Sequence, residues 1–144
     1  MSAAVRHTRR HLVEWSYCDA AGFVFNGRYF EWFDACTTEF FASVGVSLAT
    51  LFRTRGVMVP VVDHRVRYIA PCHFGDEIAI ETSAVSVGTT SFTLNHRVFK
   101  ARRLVAECRE VRVWAVRVSA DPPRLVPRPV PRGVAARLAP AGAR

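Results

Sequence analysis

The protein has 144 residues, half of them apolar, and a formal net charge of +8 at pH 7. This length suits one domain, and 10 Phe, 3 Tyr and 3 Trp supply enough bulky apolar surface to exclude a largely disordered chain. No apolar run is long enough to span a bilayer, and the first ten residues lack the apolar segment of a secretory signal. We therefore expect a cytoplasmic protein that does not bind membranes.

A strand and then a long helix are predicted in the first third of the chain. Side chains alternate in character from Arg9 to Tyr17, which indicates a half-buried strand. The period then changes to that of a helix over residues 26–44, where the apolar stripe is formed by Tyr29, Phe33, Cys36, Phe40 and Val44. Asn26 is predicted to cap the start of this helix, and Gly45 is predicted to end it.

Four further strands are predicted from their content of Val, Ile, Phe and Thr: Val57–Tyr68, Glu77–Val87, Ser91–Lys100 and Leu104–Val118. Their short connections favour an antiparallel meander. Only one helix is long enough to cover the buried face of such a sheet, so the helix is expected to lie across it. The fold class predicted from the pattern is therefore α+β.

The end of the chain differs in composition from the rest. From residue 119 onward it holds six of the eight prolines together with five arginines. Proline cannot donate to a strand ladder, so we predict an extended arm with one helical turn over residues 133–138. The whole of residues 1–140 is then a single domain, and residues 141–144 are expected to fray.

Several classes of function are not expected, because the sequence lacks the motifs that are typical of them. The chain has no nucleophile-elbow, P-loop, dinucleotide or zinc-protease motif, so no cofactor is expected. A metal site is not expected either, because the cysteines are isolated at Cys18, Cys36, Cys72 and Cys108. Nucleic-acid binding is not expected, since the chain has no basic stripe with stacking aromatic residues. His64 is interpreted as a hydrogen-bonded core residue.

The joint between the first strand and the helix is the segment whose residues are suited to catalysis. Asp19 lies on a turn containing Gly22, just before the predicted helix start at Asn26. The unpaired N–H groups of a helix start polarise a carbonyl oxygen and stabilise the oxyanion that forms when the carbonyl is attacked. A carboxylate beside them is suited to act as a nucleophile or as a general base on water.

The chain resembles a known family at this joint and beyond it. The motifs are Asp19-x-x-Gly22-Phe23-Val24, Tyr29-Phe30-x-Trp32-Phe33-Asp34-Ala35, Arg67-Tyr68-x-x-Pro71, Gly75-Asp76, Gly88-Thr89-Thr90-Ser91-Phe92 and Pro129-Val130-Pro131. In order and spacing they resemble the hotdog-fold thioesterases of the 4-hydroxybenzoyl-CoA type. The resemblance implies a five-stranded antiparallel sheet wrapped around one long helix.

The resemblance also implies an activity and an assembly. Members hydrolyse acyl-CoA thioesters without metal or cofactor, and work as homo-oligomers, dimers or tetramers, with sites between subunits. Asp19 matches the catalytic aspartate of the family, and the N–H groups near Asn26 match its carbonyl-polarising helix start. Tyr17 departs from the pattern, because many relatives carry a second acid at this position.

Substrate contacts are expected at three further places. Phe23, Phe25 and Trp32 are near enough to Asp19 in sequence to line an acyl pocket. Asp34 is suited to bind a phenolic hydroxyl, or else lies on a solvated helix face. The predicted CoA contacts, alternatively an ordinary hairpin turn, are Thr89, Thr90 and Ser91.

The acyl group and its carrier stay open at this point. An aromatic acyl group is favoured over a long flexible chain, and a short or branched one fits nearly as well. The carrier is CoA or an acyl carrier protein. The alternative function is a non-catalytic acyl-CoA or acyl-carrier-protein sensor on the same fold, which would need the pocket but not Asp19.

Overall fold

The computed structural model describes residues 3–138, and its central element is the predicted long helix, α1, spanning Asn26–Ser43. The buried face of α1 is strongly aromatic and includes Tyr29, Trp32, Phe33, Cys36, Thr37, Phe40 and Phe41. The helix ends as predicted, because Gly45 has a φ of +82°, a conformation that glycine adopts without strain. Arg137 also donates to the carbonyl groups of Val44 and Gly45 at this end.

Eight strands and two short helices complete the fold over residues 3–138. The strands are β1 (Arg6–Leu12), β2 (Val57–Met58), β3 (Val61–Tyr68), β4 (Glu77–Val87), β5 (Ser91–Lys100), β6 (Arg103–Val113), β7 (Ala115–Ala120) and β8 (Pro123–Pro127). The short helices are α2 (Leu48–Arg55) and α3 (Arg132–Leu138). Five strands form an antiparallel sheet in the order β1-β4-β5-β6-β3, and the other three form a small sheet in the order β2-β7-β8.

The predicted meander is correct for β4, β5 and β6 but wrong for β3. Instead of pairing with β4, β3 pairs with β6 at the far edge of the sheet. The place beside β4 is taken by β1, from the pair Arg6 and Ser83 to the pair Leu12 and Glu77. As a result β3 is an open edge strand, and it has no neighbour on its outer side among the described residues.

Three predicted strands are shorter than expected. The first ends at Leu12, since Val13 bonds to Asp76 and Gly75 instead of continuing the ladder, and Trp15–Tyr17 form a 3-10 turn. The second breaks before β3, at Pro60, which has no N–H to donate. The fifth breaks at Trp114, and its second half joins the small sheet as β7.

The proline-rich segment is more ordered than an extended arm. Its residues Pro123–Pro127 form β8, which pairs with β7, and the predicted helical turn is the short helix α3. The predicted frayed tail, residues 141–144, lies outside the described residues. The helix α2 was not predicted; it has only eight residues, and none of them is buried.

The large sheet packs around α1, and the predicted hotdog arrangement is confirmed. The interior holds one cluster of buried side chains near the start of α1 and another near its end. Within residues 3–138, no single helix is both long and apolar enough to cross a bilayer; α1 and α2 pass that test only as a pair bent by 88°. The open edge β3 and the start of α1 lie side by side, since Tyr68 at the end of β3 donates to the Asn26 carbonyl at 3.2 Å.

Candidate active site

The loop that carries Asp19 is a tight hairpin pinned directly in front of α1. Cys18 and Val24 form an isolated bridge, and the N–H of Asp19 donates to the Phe23 carbonyl at 2.8 Å. The turn depends on Gly22, whose φ is +81°. This left-handed conformation would cost a residue with a Cβ about 1–2 kcal/mol. These backbone bonds fix where the Asp19 side chain leaves the loop.

One oxygen of the Asp19 carboxylate is committed to the loop and the other is free. Oδ1 accepts hydrogen bonds from the N–H of Ala21 at 2.9 Å and of Phe23 at 3.3 Å. Oδ2 accepts none from the residues that the structure describes, and the side chain is exposed. A carboxylate held in this way can present Oδ2 to a substrate carbonyl or to a water molecule.

The start of α1 lies beside this carboxylate and has unused donors. Asn26 was predicted as the N-cap, and this is wrong: Asn26 is the first residue of the helix, Phe25 precedes it, and no side chain caps it. The reason is that Phe25 is held in an extended conformation by its bond to the Tyr17 carbonyl. Within the described part of the chain, the N–H groups of Asn26 and Gly27 therefore have no acceptor.

Asp19 and the start of α1 line one open groove of about 460 Å³. Its other walls are aromatic and aliphatic, and the residues important for chemistry are Asp19, Phe23, Phe25, Asn26, Tyr68 and Pro71. The Phe25 ring packs close over the helix start, where a Cβ on Gly27 would lie 2.9 Å from it. A larger hollow of about 1000 Å³ lies over β1 and β4, but its lining includes neither Asp19 nor the helix start, so the smaller groove is the better candidate.

The structure separates the remaining predicted site residues from this groove. Trp32 is 4% exposed and stacks edge-to-face on Tyr17 and Tyr29, so it supports the loop from the core instead of lining the groove. Asp34 lies two turns further along α1, about 12 Å from Asn26 by helical rise. Neither Trp32 nor Asp34 belongs to the lining of the groove that holds Asp19.

The turn with Thr89, Thr90 and Ser91 lies still further away. It follows β4, whereas Asp76, just before β4, lies near the groove end of the molecule. A strand of this length spans roughly 30 Å, so the turn is at the opposite end of the sheet. Its backbone is bonded to Trp114 and Val130, which fix its position there.

Asp34 is instead the end of a charged network that enters the core. The Arg112 guanidinium donates to Asp34 Oδ1 at 3.0 Å, to the Val59 carbonyl at 3.0 Å, and to Glu110 Oε1 at 2.8 Å. Glu110 is fully buried and also contacts Thr37 at 2.9 Å, His96 at 3.0 Å and, through Oε2, His64 at 2.7 Å. The prediction that His64 is hydrogen-bonded is confirmed.

The Glu110 carboxylate is stabilised in its charged form. Burial by itself would raise the pKa of Glu110, but the hydrogen bonds and charges of His96 and then Arg112 outweigh it and hold this pKa well below its ordinary range. Potential ligand atoms of His64, Cys108 and Glu110 lie within 4.8 Å of one another. A cation there would meet the Arg112 charge and a carboxylate that is already saturated with donors, so the cluster is better suited to hydrogen bonding than to metal binding.

Sequence reasoning missed Tyr68, Glu110 and Arg112, although a signal for two of them was present. Alternate positions of β6 face the interior, and Ala106 and Cys108 on that face are buried as apolar residues should be. Glu110 and Arg112 occupy the same face with the same period. Charged residues at core positions of a strand indicate a buried network.

The chain matches the family model of the thioesterase-like superfamily over residues 13–138. It belongs to the thioesterase-like superfamily. Among curated relatives, this thioesterase-like chain is 29% identical to the acyl-CoA thioester hydrolase YbgC of Escherichia coli O6:H1, covering 83% of the chain and 86% of the relative. It is 28% identical to the 4-hydroxybenzoyl-CoA thioesterase of Pseudomonas sp. (strain CBS-3), with coverage of 76% and 82%.

Solved structures of other members resemble the thioesterase-like fold described above over almost the whole chain. A gentisyl-coenzyme A thioesterase matches with 30% identity and a TM-score of 0.80, covering 89% of this chain and 98% of that one. A variant of 4-hydroxybenzoyl-CoA thioesterase in complex with 4-hydroxybenzoyl-CoA matches with 25% identity and a TM-score of 0.86, covering 94% and 99%. The similar proteins named here are thus acyl-CoA thioesterases in both comparisons.

Proposed function

We propose that the protein hydrolyses an acyl-CoA thioester to a carboxylic acid and free CoA. The observation that carries this proposal is the convergence of two groups on one groove: the free Oδ2 of Asp19 and the unused N–H groups at the start of α1. A nucleophile or base beside an oxyanion-stabilising helix start is the arrangement that acyl transfer to water requires. The names of the relatives support the same reaction.

The helix start and Asp19 would act on opposite parts of the thioester carbonyl. The thioester carbonyl oxygen lies against the N–H groups of Asn26 and Gly27, which stabilise the negative charge that develops on it. Asp19 either attacks the carbonyl carbon, giving an anhydride that water then hydrolyses, or removes a proton from an attacking water. In both routes a C–O bond forms, the C–S bond breaks, and the thiolate leaves and takes up a proton. Both roles of Asp19 fit the observed carboxylate.

The acyl group proposed is aryl or hydroxyaryl, with a short-chain acyl group as the other candidate. Phe23, Phe25 and Tyr68 give the groove flat aromatic walls, which suit a planar ring. Two of the proteins named above are thioesterases for 4-hydroxybenzoyl-CoA and gentisyl-coenzyme A, whose acyl groups both carry ring hydroxyls. We propose that Asp34 accepts a hydrogen bond from such a hydroxyl.

We also propose that the protein is a homo-oligomer whose sites lie between subunits. Within residues 3–138, the edge strand β3 leaves its outer hydrogen-bonding groups open and exposes Val62 and Tyr68, with Ile69 exposed just after it, so a second copy that pairs with β3 would cover this edge. The groove lies at the end of β3 and would then be closed by the partner. The proposed contact of Thr89, Thr90 and Ser91 with the CoA phosphates requires the turn of another subunit, because the turn is remote within one chain.

The oligomer is tested by placing a charge on the open edge. Val62→Lys should reduce the molar mass measured by light scattering after size exclusion, because lysine on an edge strand disfavours pairing. Val118→Lys is the matched control: Val118 is 45% exposed and Val62 59%, but Val118 lies on β7, away from this edge. A Val62→Lys protein that keeps the mass of the wild type would argue against β3 as the interface.

The activity is tested by thiol release from aromatic, short-chain and long-chain acyl-CoAs. Asp19→Asn should keep the fold and lose at least about 10²-fold in turnover, the contribution expected of a positioned acid–base group. Asp121→Asn, an exposed acid in the β7–β8 turn, is the control and should be fully active. Full activity of Asp19→Asn would remove the mechanism. Tight binding of these thioesters without thiol release would favour the sensor function instead.

The cytoplasm is the compartment we propose. The structure contains four free cysteines, of which Cys36, Cys72 and Cys108 are buried. Unpaired thiols are typical of a reducing compartment. Labelling of the thiols in intact cells and after fractionation would test this placement.

A further inference from the structure

Apart from Asp34 at its end, the charged network around Glu110 has no role in the reaction as described so far. Burying a carboxylate and a guanidinium costs several kcal/mol of desolvation for each ion, which pairing and hydrogen bonds must offset. An apolar pair of similar size on β6 would fill the core without that cost. The network nevertheless extends from the core to one particular surface, through Arg112, Asp34 and His64.

That surface is the seam between α1 and β3, which runs away from the catalytic groove. Three helix positions spaced four residues apart meet the sheet in order along it. Asn26 contacts Tyr68, the Phe30 ring packs at a tilt against His64 with ring centroids 4.9 Å apart, and Asp34 contacts Arg112 beside Val59. The seam is solvent-facing: Phe30 is 38% exposed and the Asp34 side chain 70%. An aryl group that is bound at Asp19 and follows this seam therefore points its far end toward Asp34.

We propose that Arg112 is a positioning residue for substrate selection, which holds Asp34 so that its free oxygen accepts the distal hydroxyl of a hydroxyaryl acyl group. This inference rests on the proposed function. Arg112 occupies only Oδ1 of Asp34, so Oδ2 is left to face the seam. Asp34 makes no other side-chain hydrogen bond within residues 3–138, and without Arg112 its carboxylate would rotate freely in solvent.

The fork of the guanidinium explains why the residue is arginine. Nε binds Glu110, Nη1 binds the Val59 carbonyl and Nη2 binds Asp34, so one planar group joins the core, the β2–β3 connection and the helix. Glu110 holds the near end of this fork and is itself fixed by donors from α1, β3 and β5. Lysine has a single ammonium group and cannot make these three contacts in a plane.

The test compares two thioesters that differ by one hydroxyl, 4-hydroxybenzoyl-CoA and benzoyl-CoA. The quantity measured is the ratio of their kcat/KM values. Arg112→Met should lower this ratio about tenfold or more, the scale of one hydrogen bond to a charged acceptor, with little change for benzoyl-CoA. Arg109→Met is the control, because Arg109 is exposed on the same strand and should leave the ratio unchanged.

A second comparison shows whether Arg112 acts through Asp34. Asp34→Asn alone should lower the ratio to a similar extent, and the double variant should lower it no further, since both changes remove the same contact. Arg112→Lys provides the same test if Arg112→Met does not fold. A parallel fall for both thioesters, which a purely structural role would produce, overturns the inference, as does an unchanged ratio in Asp34→Asn.

Binding measurements separate this inference from the proposed function. In the Asp19→Asn background the two thioesters are titrated calorimetrically, so the hydroxyl preference is read without turnover. A preference that depends on Arg112 supports the inference even if the wild type releases no thiol, in which case only the proposed activity fails. Equal affinity for both thioesters in that background overturns the inference, whatever the wild type hydrolyses.

Discussion

Replacing Glu110 with glutamine is expected to destabilise the protein more than the same replacement at the other glutamate of β6, Glu107. The substitution keeps the size of the side chain and removes its charge. In the wild type Oε1 meets Thr37, His96 and Arg112 within 3.0 Å, and Oε2 meets His64 at 2.7 Å. The neutral amide leaves the buried Arg112 guanidinium with Asp34 as its remaining acidic partner.

The magnitude follows from these contacts. A hydrogen bond to a charged group contributes about 1.5–3 kcal/mol, and an unpaired buried charge costs about 3–5 kcal/mol. Because Asp34 still pairs with Arg112, we expect a loss near the lower end of the second range, about 3 kcal/mol. For a chain of this length that corresponds to a fall in Tm of roughly 10 °C.

The assay is urea unfolding followed by tryptophan fluorescence, at one fixed protein concentration because oligomers are stabilised by mass action. Glu107→Gln is the control: Glu107 is three residues away on β6 and pairs with the exposed Arg67 at 2.6 Å. A surface pair of this kind contributes at most about 1 kcal/mol. If Glu110→Gln loses no more than Glu107→Gln, the network is not the energetic centre that its geometry indicates.

The pH dependence gives the same residue an independent signature. The pKa of Glu110 in the folded protein lies well below its ordinary value of 4.5, because His96 and Arg112 outweigh the opposing effect of burial. Its contribution is therefore fully present above pH 4.5 and is lost as the pH falls through the lower folded value. The stability difference between the wild type and Glu110→Gln should shrink progressively below pH 4.5.

Two further changes test the loop and the core. In Gly22→Ala the added Cβ has no atom within 4 Å, so the cost is the backbone strain at φ +81°, about 1–2 kcal/mol. Thiol release should fall because Asp19 is displaced. Unchanged turnover would show that the hairpin tolerates the strain. Phe40→Ala removes a fully buried ring and should cost about 3–5 kcal/mol in urea unfolding, and a loss under 1 kcal/mol would mean that the core refills the cavity.

The sequence was sufficient where the deciding information is local. The bounds of β4 and β5 match the predicted ranges to the residue, and α1 ends within one residue of the prediction. These elements have a clear apolar period, and turn residues mark their ends. The order of an acid, a glycine and a helix start is also a local property, so the placement of Asp19 beside the first turn of α1 could be predicted from residues 18–26 alone.

Only the tertiary structure decided which strands are neighbours and which charges meet. The pairing of β3 with β6 results from competition between distant strands, and β1 takes the place beside β4 that a meander would give to β3. Arg112 and Asp34 are 78 positions apart, and neither residue type indicates its partner. Periodicity determines which face of an element is buried, but the contact between two such faces depends on the packing of the whole chain.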